Sequence, residues 1–286
     1  IYRLFEIIPG IMSLGTLLGV LVFSWLLPVW VAIFIILFCF YYLFRVFYLS
    51  IHQVISYLRM RRHLKVNWIS LLAKEIRDWE KIYHLIILPS YKEDPKIIRE
   101  SLDSLIQSGY PKENLIVVLS VEERAGKEVL GQARIFEQEY SNKFYRFLIT
   151  VHPQDTPGEI AGKGSNVAYA GKTVKEKIID VLRIPYENIL VSSFDIDTKI
   201  YPQYLACLTW HYLKEKNPLK ASYQPVPVYN NNIWEAPAFS RLVSTSNTFW
   251  QMMQQERPEK LVTYSSHSLS FKTFVEVGYP FNLVPD

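Results

Sequence analysis

HLIILPSYKEDPKIIRESLDSLIQ, residues 84–107, sets the architecture. Residues 84–90 are a short apolar run ending at Pro89, the pattern of a strand buried on both faces. Asp94-Pro95 then supplies a helix N-cap followed by a proline suited to the first helical position. Behind that cap Ile97, Ile98, Leu102, Leu105 and Ile106 recur at helical spacing. The same strand–helix unit repeats downstream. NLIVVLSV at 114–121 reads as a second buried strand, with a helical stretch over about 127–140. FYRFLITVH at 144–152 is a third strand, residues 165–182 resume a helical pattern, and NILVSSFD at 188–195 is a fourth strand that ends on an acid. Strands alternating with helices imply βαβ units, a mainly parallel sheet and right-handed crossovers. In such open sheets ligands bind beyond the carboxyl ends of the strands. Chemistry is therefore expected after Leu88, after Leu119, around residue 160 and at Asp195.

Upstream the composition changes. No charged side chain occurs from Ile7 to Phe44, a stretch long enough for nearly two bilayer crossings at about 20 residues each. Pro28, near its middle, interrupts a helix and favours a turn. The expectation is a transmembrane hairpin over roughly 4–27 and 29–50, with Trp25 and Trp30 as interfacial anchors. The alternative is a buried apolar hairpin of a soluble protein. Arg59, Arg61, Arg62, His63 and Lys65 follow the second crossing, and the positive-inside rule puts this cluster in the cytoplasm. The formal net charge of the 286-residue chain is +4, yet residues 1–65 alone carry six basic side chains against Glu6. The other 25 basic groups are outnumbered by 26 acidic ones, so the folded part lacks the basic surface of a nucleic-acid binder. The apolar stretch is too long for a signal peptide and lacks a small-residue cleavage site. Ile1 at the start and Asp286 at the end mark the chain as a fragment in this reading. Cys39 and Cys207 are the only cysteines, too few for a structural zinc site and in keeping with a reducing compartment. The expected organisation is two transmembrane helices (1–50), a basic amphipathic connector (51–82) and an α/β domain (83–286).

Four clusters stand at the strand ends. Pro89, Ser90, Tyr91 and Glu93 offer a hydroxyl, a ring and a carboxylate that suit a nucleoside; taken alone, the cluster with Asp94 before Pro95 reads more readily as a helix N-cap. Glu122 and Glu123 either accept hydrogen bonds from a ribose or base, or are solvated loop charge. Gly162-Lys163-Gly164-Ser165-Asn166 precedes a helix, where glycines, a lysine and the helix N-terminus together suit a phosphate. It is neither a Walker loop nor GxGxxG. Asp195-Ile196-Asp197 places two carboxylates two residues apart. In extended geometry they share a face and suit a hard divalent cation bridging to a diphosphate.

In this order and at these strand ends, the clusters resemble the GT-A fold of family 2 glycosyltransferases, the inverting group that includes processive polysaccharide synthases. The resemblance covers roughly residues 83–286. ILPSYKED is similar to the family's opening nucleotide-binding segment, GKGSN to its Lys-Gly-x-x-Asn loop, and SSFDIDT to the strand carrying its Asp-x-Asp motif. TYSSHSLSFKTFVEVGYP (263–280) resembles the segment before the catalytic acid, as a polar turn and then a helix ending at Gly278. Val284-Pro285-Asp286 is similar to the start of the family's acidic pair.

The resemblance implies that Pro89, Ser90, Tyr91, Glu93 and Glu122 surround the nucleoside of a UDP-linked sugar. Lys163 would lie near the diphosphate or ribose and Asn166 would shape its loop. Asp195 would face the ribose and metal region, and Asp197 would bind Mg²⁺ or Mn²⁺ directly. Asp286, or a second acid after it, would be the general base. The implied acceptor is a saccharide or a lipid-linked sugar at the inner membrane, with processive and single transfer both open. Glu122-Glu123 departs from the family's more usual Asp, and the Gln-x-x-Arg-Trp-like motif of processive members would lie beyond residue 286. Trp234, Phe239, Leu242, Phe249, Trp250 and Met253 suit either an amphipathic helix on the bilayer or core packing. His267 could contact a phosphate or acceptor, whereas His84, His152 and His211 read as structural. Two other classes remain. A nucleotidyltransferase of similar fold calls for a glycine-rich basic signature after the first strand, where this chain has PSYKED. A non-catalytic membrane scaffold sits poorly with retention of Lys163, Asp195, Asp197 and Asp286.

Overall fold

The computed structural model describes residues 2–231, 233–257 and 266–278. The chain divides into two compact units. One contains the described residues up to 62 together with 228–257, and the other contains 63–227 together with 266–278. The segment 228–257 thus groups with the apolar helices and not with the sheet, although it was expected within the α/β domain.

In the first unit, α1 (Tyr2–Leu26) and α2 (Pro28–His63) are separated by Leu27 alone. Pro28 lacks an N–H, so it ends one helix and fits the first turn of the next. Both helices are long and apolar enough to cross a membrane, and none of their most apolar windows is buried within the chain. Among the described residues no core covers this hairpin. α2 also runs past residue 50, so most of the basic cluster expected in a connector continues the helix to His63. Arg and Lys are good helix formers, and no proline or glycine interrupts residues 51–63. α9 (Ala238–Gln254) reverses the polarity of a water-soluble helix. Gln251 and Gln254 are buried while Phe239, Leu242, Val243 and Phe249 are exposed. Its inner face meets α2 through Gln53 Nε2 and Met252 Sδ at 3.7 Å, and beyond its end Glu256 pairs with Arg59 at 3.0 Å. Polar side chains turned inward and aromatic ones outward suit an apolar surrounding. Core packing, the other expectation for these apolar side chains, does not describe Phe239, Leu242 or Phe249.

The second unit is α/β, as expected. Its elements, in chain order, are α3 (Trp68–Glu75), β1 (Tyr83–Ser90), α4 (Pro95–Ile106), β2 (Leu115–Glu122), α5 (Lys127–Tyr140), β3 (Arg146–His152) and α6 (Lys163–Val174). α6 continues through a π-turn (Lys175–Ile179) into the short α7 (Asp180–Leu182). β4 (Ile189–Ser193), α8 (Tyr204–Lys214), β5 (Ser222–Tyr223), β6 (Ser268–Ser270) and α10 (Phe271–Glu276) follow. The sheet order is β3-β2-β1-β4-β6-β5. β1 to β4 are parallel, and β6 runs antiparallel to both its neighbours.

Side chains alternate across the central strands. Ile86 and Leu88 of β1, with Val117 and Leu119 of β2, pack under α3, α4, α5 and α8. Leu85, Ile87, Ile116 and Val118 face the other way, toward α6 and α10. Both faces are covered, which is why these strands read as continuous apolar runs. The chain winds from β1 outward to β3 with its helices on one face. It then crosses through α6 on the other face to β4, on the opposite side of β1. The β1/β4 boundary is therefore the switch point at which an open sheet leaves a crevice.

Candidate functional site

Strand register puts the predicted clusters on one edge of the sheet. Ser90 lies opposite Val121, Glu122 opposite His152, and Ser193 opposite Ile87, with Phe194 N donating to Ile87 O at 3.1 Å. The carboxyl ends of β1, β2, β3 and β4 therefore open in the same direction.

The first group joins the ends of β1 and β2. Glu93 folds back so that Oε2 accepts from Ser90 Oγ at 2.8 Å and from Tyr91 N at 2.7 Å. This fixes the turn that presents the exposed Tyr91 ring. Asp94 caps α4 through Oδ1 to Lys96 N at 2.7 Å, so it has the helix-cap role, with Pro95 next. The Arg124 guanidinium lies 5.0 Å from the Tyr91 ring centroid and is ion-paired through Nε to Glu122 Oε2. That hydrogen bond pushes the Arg124 guanidinium above its ordinary range. Glu122 is almost completely buried, and its charge is met from within the protein. Glu123 Oε2 accepts from Gln154 N at 3.0 Å, holding the segment after β3 to the end of β2. Arg124 was not singled out in the sequence. Its signal was its position two residues beyond Glu122, where a cation on the same loop can meet a buried acid.

The second group joins α6 to the ends of β2 and β4. Asn166 is buried and bonds Ser120 twice: Nδ2 donates to Ser120 O at 2.9 Å, and Oδ1 accepts from Ser120 Oγ at 2.5 Å. Thr150 Oγ1 extends the chain to Ser120 Oγ at 2.8 Å. Asn166 is thus a clamp that fixes the first turn of α6 against β2. Lys163, at the start of α6, is ion-paired through Nζ to Asp195 Oδ1. The loop leading to α6 is tied at its near end by His152 Nε2 and Glu159 Oε2, 2.9 Å apart, with His152 also edge-on to Tyr169.

At β4 the structure departs from the sequence reading. The strand stops at Ser193, and Thr198 N donates to Asp195 O at 2.9 Å, so residues 195–198 form a turn. The shared-face argument for Asp195 and Asp197 assumed extended backbone and does not apply to them. Ile196 between them is buried, and its carbonyl accepts from Ser101 Oγ at 2.6 Å. Burying Ile196 against α4 bends the chain and leaves Asp197 exposed on the turn beside the half-buried Asp195. Asp195 N donates to Ser266 Oγ at 3.4 Å, and Ser193 N to His267 O at 3.3 Å. His267 therefore adjoins the end of β4 through its backbone. Two carboxylates two residues apart supply hard oxygen ligands. Such oxygens are the donor type that Mg²⁺ and Mn²⁺ take. Asp286 lies outside the described residues.

No family model and no curated protein matches the chain. Among solved structures it is similar to the mannosyltransferase PcManGT from Pyrobaculum calidifontis in complex with GDP-Man and Mn²⁺. The identity is 16% with a TM-score of 0.44, over 81% of this chain and 55% of that one. Staphylococcus (S.) aureus TarS 1–349 in complex with UDP-GlcNAc is 16% identical with a TM-score of 0.38, over 71% and 50%. Mouse xyloside xylosyltransferase 1 is 12% identical with a TM-score of 0.31, over 68% and 69%. The chain spans about half the length of the first two.

Proposed function

We propose that this chain is the donor-binding part of a membrane-anchored, inverting glycosyltransferase of family 2 type. It would transfer a sugar from a UDP-linked donor to a saccharide or lipid-linked acceptor on the cytoplasmic side of the membrane. The observation that carries this reading is the convergence, on one sheet edge at the switch point, of an aromatic–carboxylate group with a lysine–aspartate pair. Tyr91, backed by Arg124, gives a base a flat surface to stack on, while Pro89, Ser90, Glu93 and Glu122 frame it. Lys163 holds Asp195 in place before the donor arrives and then faces the diphosphate with its ammonium group. Asn166 keeps that lysine at the start of α6, where backbone N–H groups also favour phosphate. Asp197 and Asp195 would hold Mg²⁺ or Mn²⁺, which when bound neutralises charge on the departing nucleoside diphosphate. Asp286 is the proposed general base that takes the acceptor hydroxyl's proton. α1 and α2 would anchor the chain, with the outward aromatics of α9 in the lipid interface.

Calorimetry of UDP-sugar binding with and without Mn²⁺ tests the assignment. Binding should depend on the metal, and Asp197→Ala should lose that dependence. Unchanged binding and metal response in Asp197→Ala would remove the carboxylates from the donor site.

A further inference from the structure

A second cluster of metal-ligating side chains lies away from the strand ends. His63, Cys207 and His211 converge so that their ligand atoms all lie within 4.8 Å of one another. Cys207 and His211 are four residues apart on α8, one helical turn, which puts both on the same face. His63 is the last residue of α2, more than 140 positions earlier in the chain. All three belong to the second unit and are half-buried.

The surroundings hold these groups in place. The His63 carbonyl accepts from Trp68 Nε1 at 3.0 Å and from Val66 N at 3.2 Å, fixing the backbone that carries the first imidazole. The Trp68 ring contacts His63 edge-on at 5.4 Å, and lies 5.6 and 5.7 Å from Trp210 and His211. Gln203 sets the start of α8: its Oε1 accepts from Ile69 N at 3.2 Å and its carbonyl from Cys207 N at 2.9 Å. Trp68 is buried beside the cluster, and the three ligand residues are each partly exposed.

We propose that His63, Cys207 and His211 form a binding site for Zn²⁺, with water as the fourth ligand. One thiolate and two imidazoles are the donor set that borderline and soft d-block ions prefer over Mg²⁺ or Mn²⁺. Ligand atoms around a tetrahedral zinc are about 3.5 Å apart, so closure asks the side chains to move by about 1 Å. As the S–Zn bond forms, the Cys207 thiol gives its proton to solvent, and the two imidazoles donate lone pairs. The cysteine count alone had argued against zinc, and the fold supplies the two nitrogens that the count could not show. Bound zinc would close the chain between residues 63 and 207 and stabilise the folded unit by mass action.

The test uses the whole 286-residue chain in detergent, with Co²⁺ as the optical probe and Zn²⁺ as the competitor. One Co²⁺ per chain should give intense visible d–d bands and a thiolate charge-transfer band, both abolished by stoichiometric Zn²⁺. Cys207→Ser should lose the charge-transfer band, and His211→Ala or His63→Ala should weaken Zn²⁺ binding at least tenfold. Cys39→Ser and the Asp195→Asn/Asp197→Asn pair should keep the spectrum, which separates this site from the one proposed for the donor. In wild-type protein Zn²⁺ should slow alkylation of Cys207 at least tenfold and leave Cys39 unchanged, a readout that needs no variant to fold. A missing thiolate band in the wild type, its survival in Cys207→Ser, its loss in the aspartate pair, or equal alkylation with and without Zn²⁺ would each overturn the proposal.

Discussion

Acid should destabilise the sheet unit in part through His84, whose contribution can be isolated. Its side chain is completely buried at the start of β1. Nε2 lies 2.9 Å from Thr209 Oγ1, and the ring stands edge-on to Tyr110 at 4.6 Å. Burial lowers its pKa from 6.5 to about 3. The unfolded chain therefore binds a proton below pH 6.5 that the folded chain refuses until about pH 3. Stability falls as pH drops through 6.5, by about 1.4 kcal/mol per pH unit, and levels off near pH 3. Between pH 7.5 and 5 this one group should remove about 2 kcal/mol. His84→Phe keeps the ring against Tyr110 and removes the titration. It gives up the Thr209 hydrogen bond, at a cost of about 1 kcal/mol. Thr209 Oγ1 keeps its bonds to Leu205 O at 3.0 Å and Tyr110 Oη at 3.2 Å, so no buried hydroxyl is stranded. The two proteins should consequently cross: the variant is about 1 kcal/mol weaker at pH 7.5 and about 1 kcal/mol stronger at pH 5. Urea unfolding followed by tryptophan fluorescence measures this, since Trp79 is buried beside Tyr110 at 5.7 Å. A constant difference between the proteins at the two pH values would mean that His84 titrates alike in both states, and the argument would fall.

Asn166→Ala should destabilise the same unit by about 1–3 kcal/mol in that assay, because it removes both side-chain hydrogen bonds to the buried Ser120. It should also weaken UDP-sugar binding, which Asn166→Asp should restore only in part, since a carboxylate cannot donate to Ser120 O. Asp94→Ala removes the cap on α4 and should cost about 1 kcal/mol with donor binding unchanged. Loss of binding in Asp94→Ala would instead place that carboxylate in the donor site.

Much of the fold could be read locally. β1, β2, α4 and α5 follow the periodicities of residues 84–140, since a strand buried on both faces and a one-sided helix leave different patterns over ten residues. β5 and β6 left none. Two- and three-residue strands are too short to show alternation, and they exist because an edge of β4 was open to pairing. The Asp195–Asp197 segment was found by its residue types but given the wrong backbone. What bends it is Ile196, buried against α4 from nearly a hundred residues away.

The candidate site divides the same way. Tyr91, Glu93, Glu122, Lys163, Asn166, Asp195 and Asp197 could be singled out as candidates because strand ends are legible. Arg124 on Tyr91, Ser120 on Asn166 and Lys163 on Asp195 are pairings across elements, and nothing in either partner's neighbourhood announces the other.

The sequence by itself therefore determined the apolar helices, the alternation of strands and helices, and the positions where chemistry could sit. Those follow from hydrophobic periodicity and backbone preference, which act within one or two turns of chain. Only the tertiary structure decided the strand order, the turn at Asp195, the grouping of residues 228–257 with the apolar helices, and the meeting of His63 with Cys207 and His211. Each of these depends on packing between segments far apart in sequence, where burial is gained jointly and neither segment carries the signal alone.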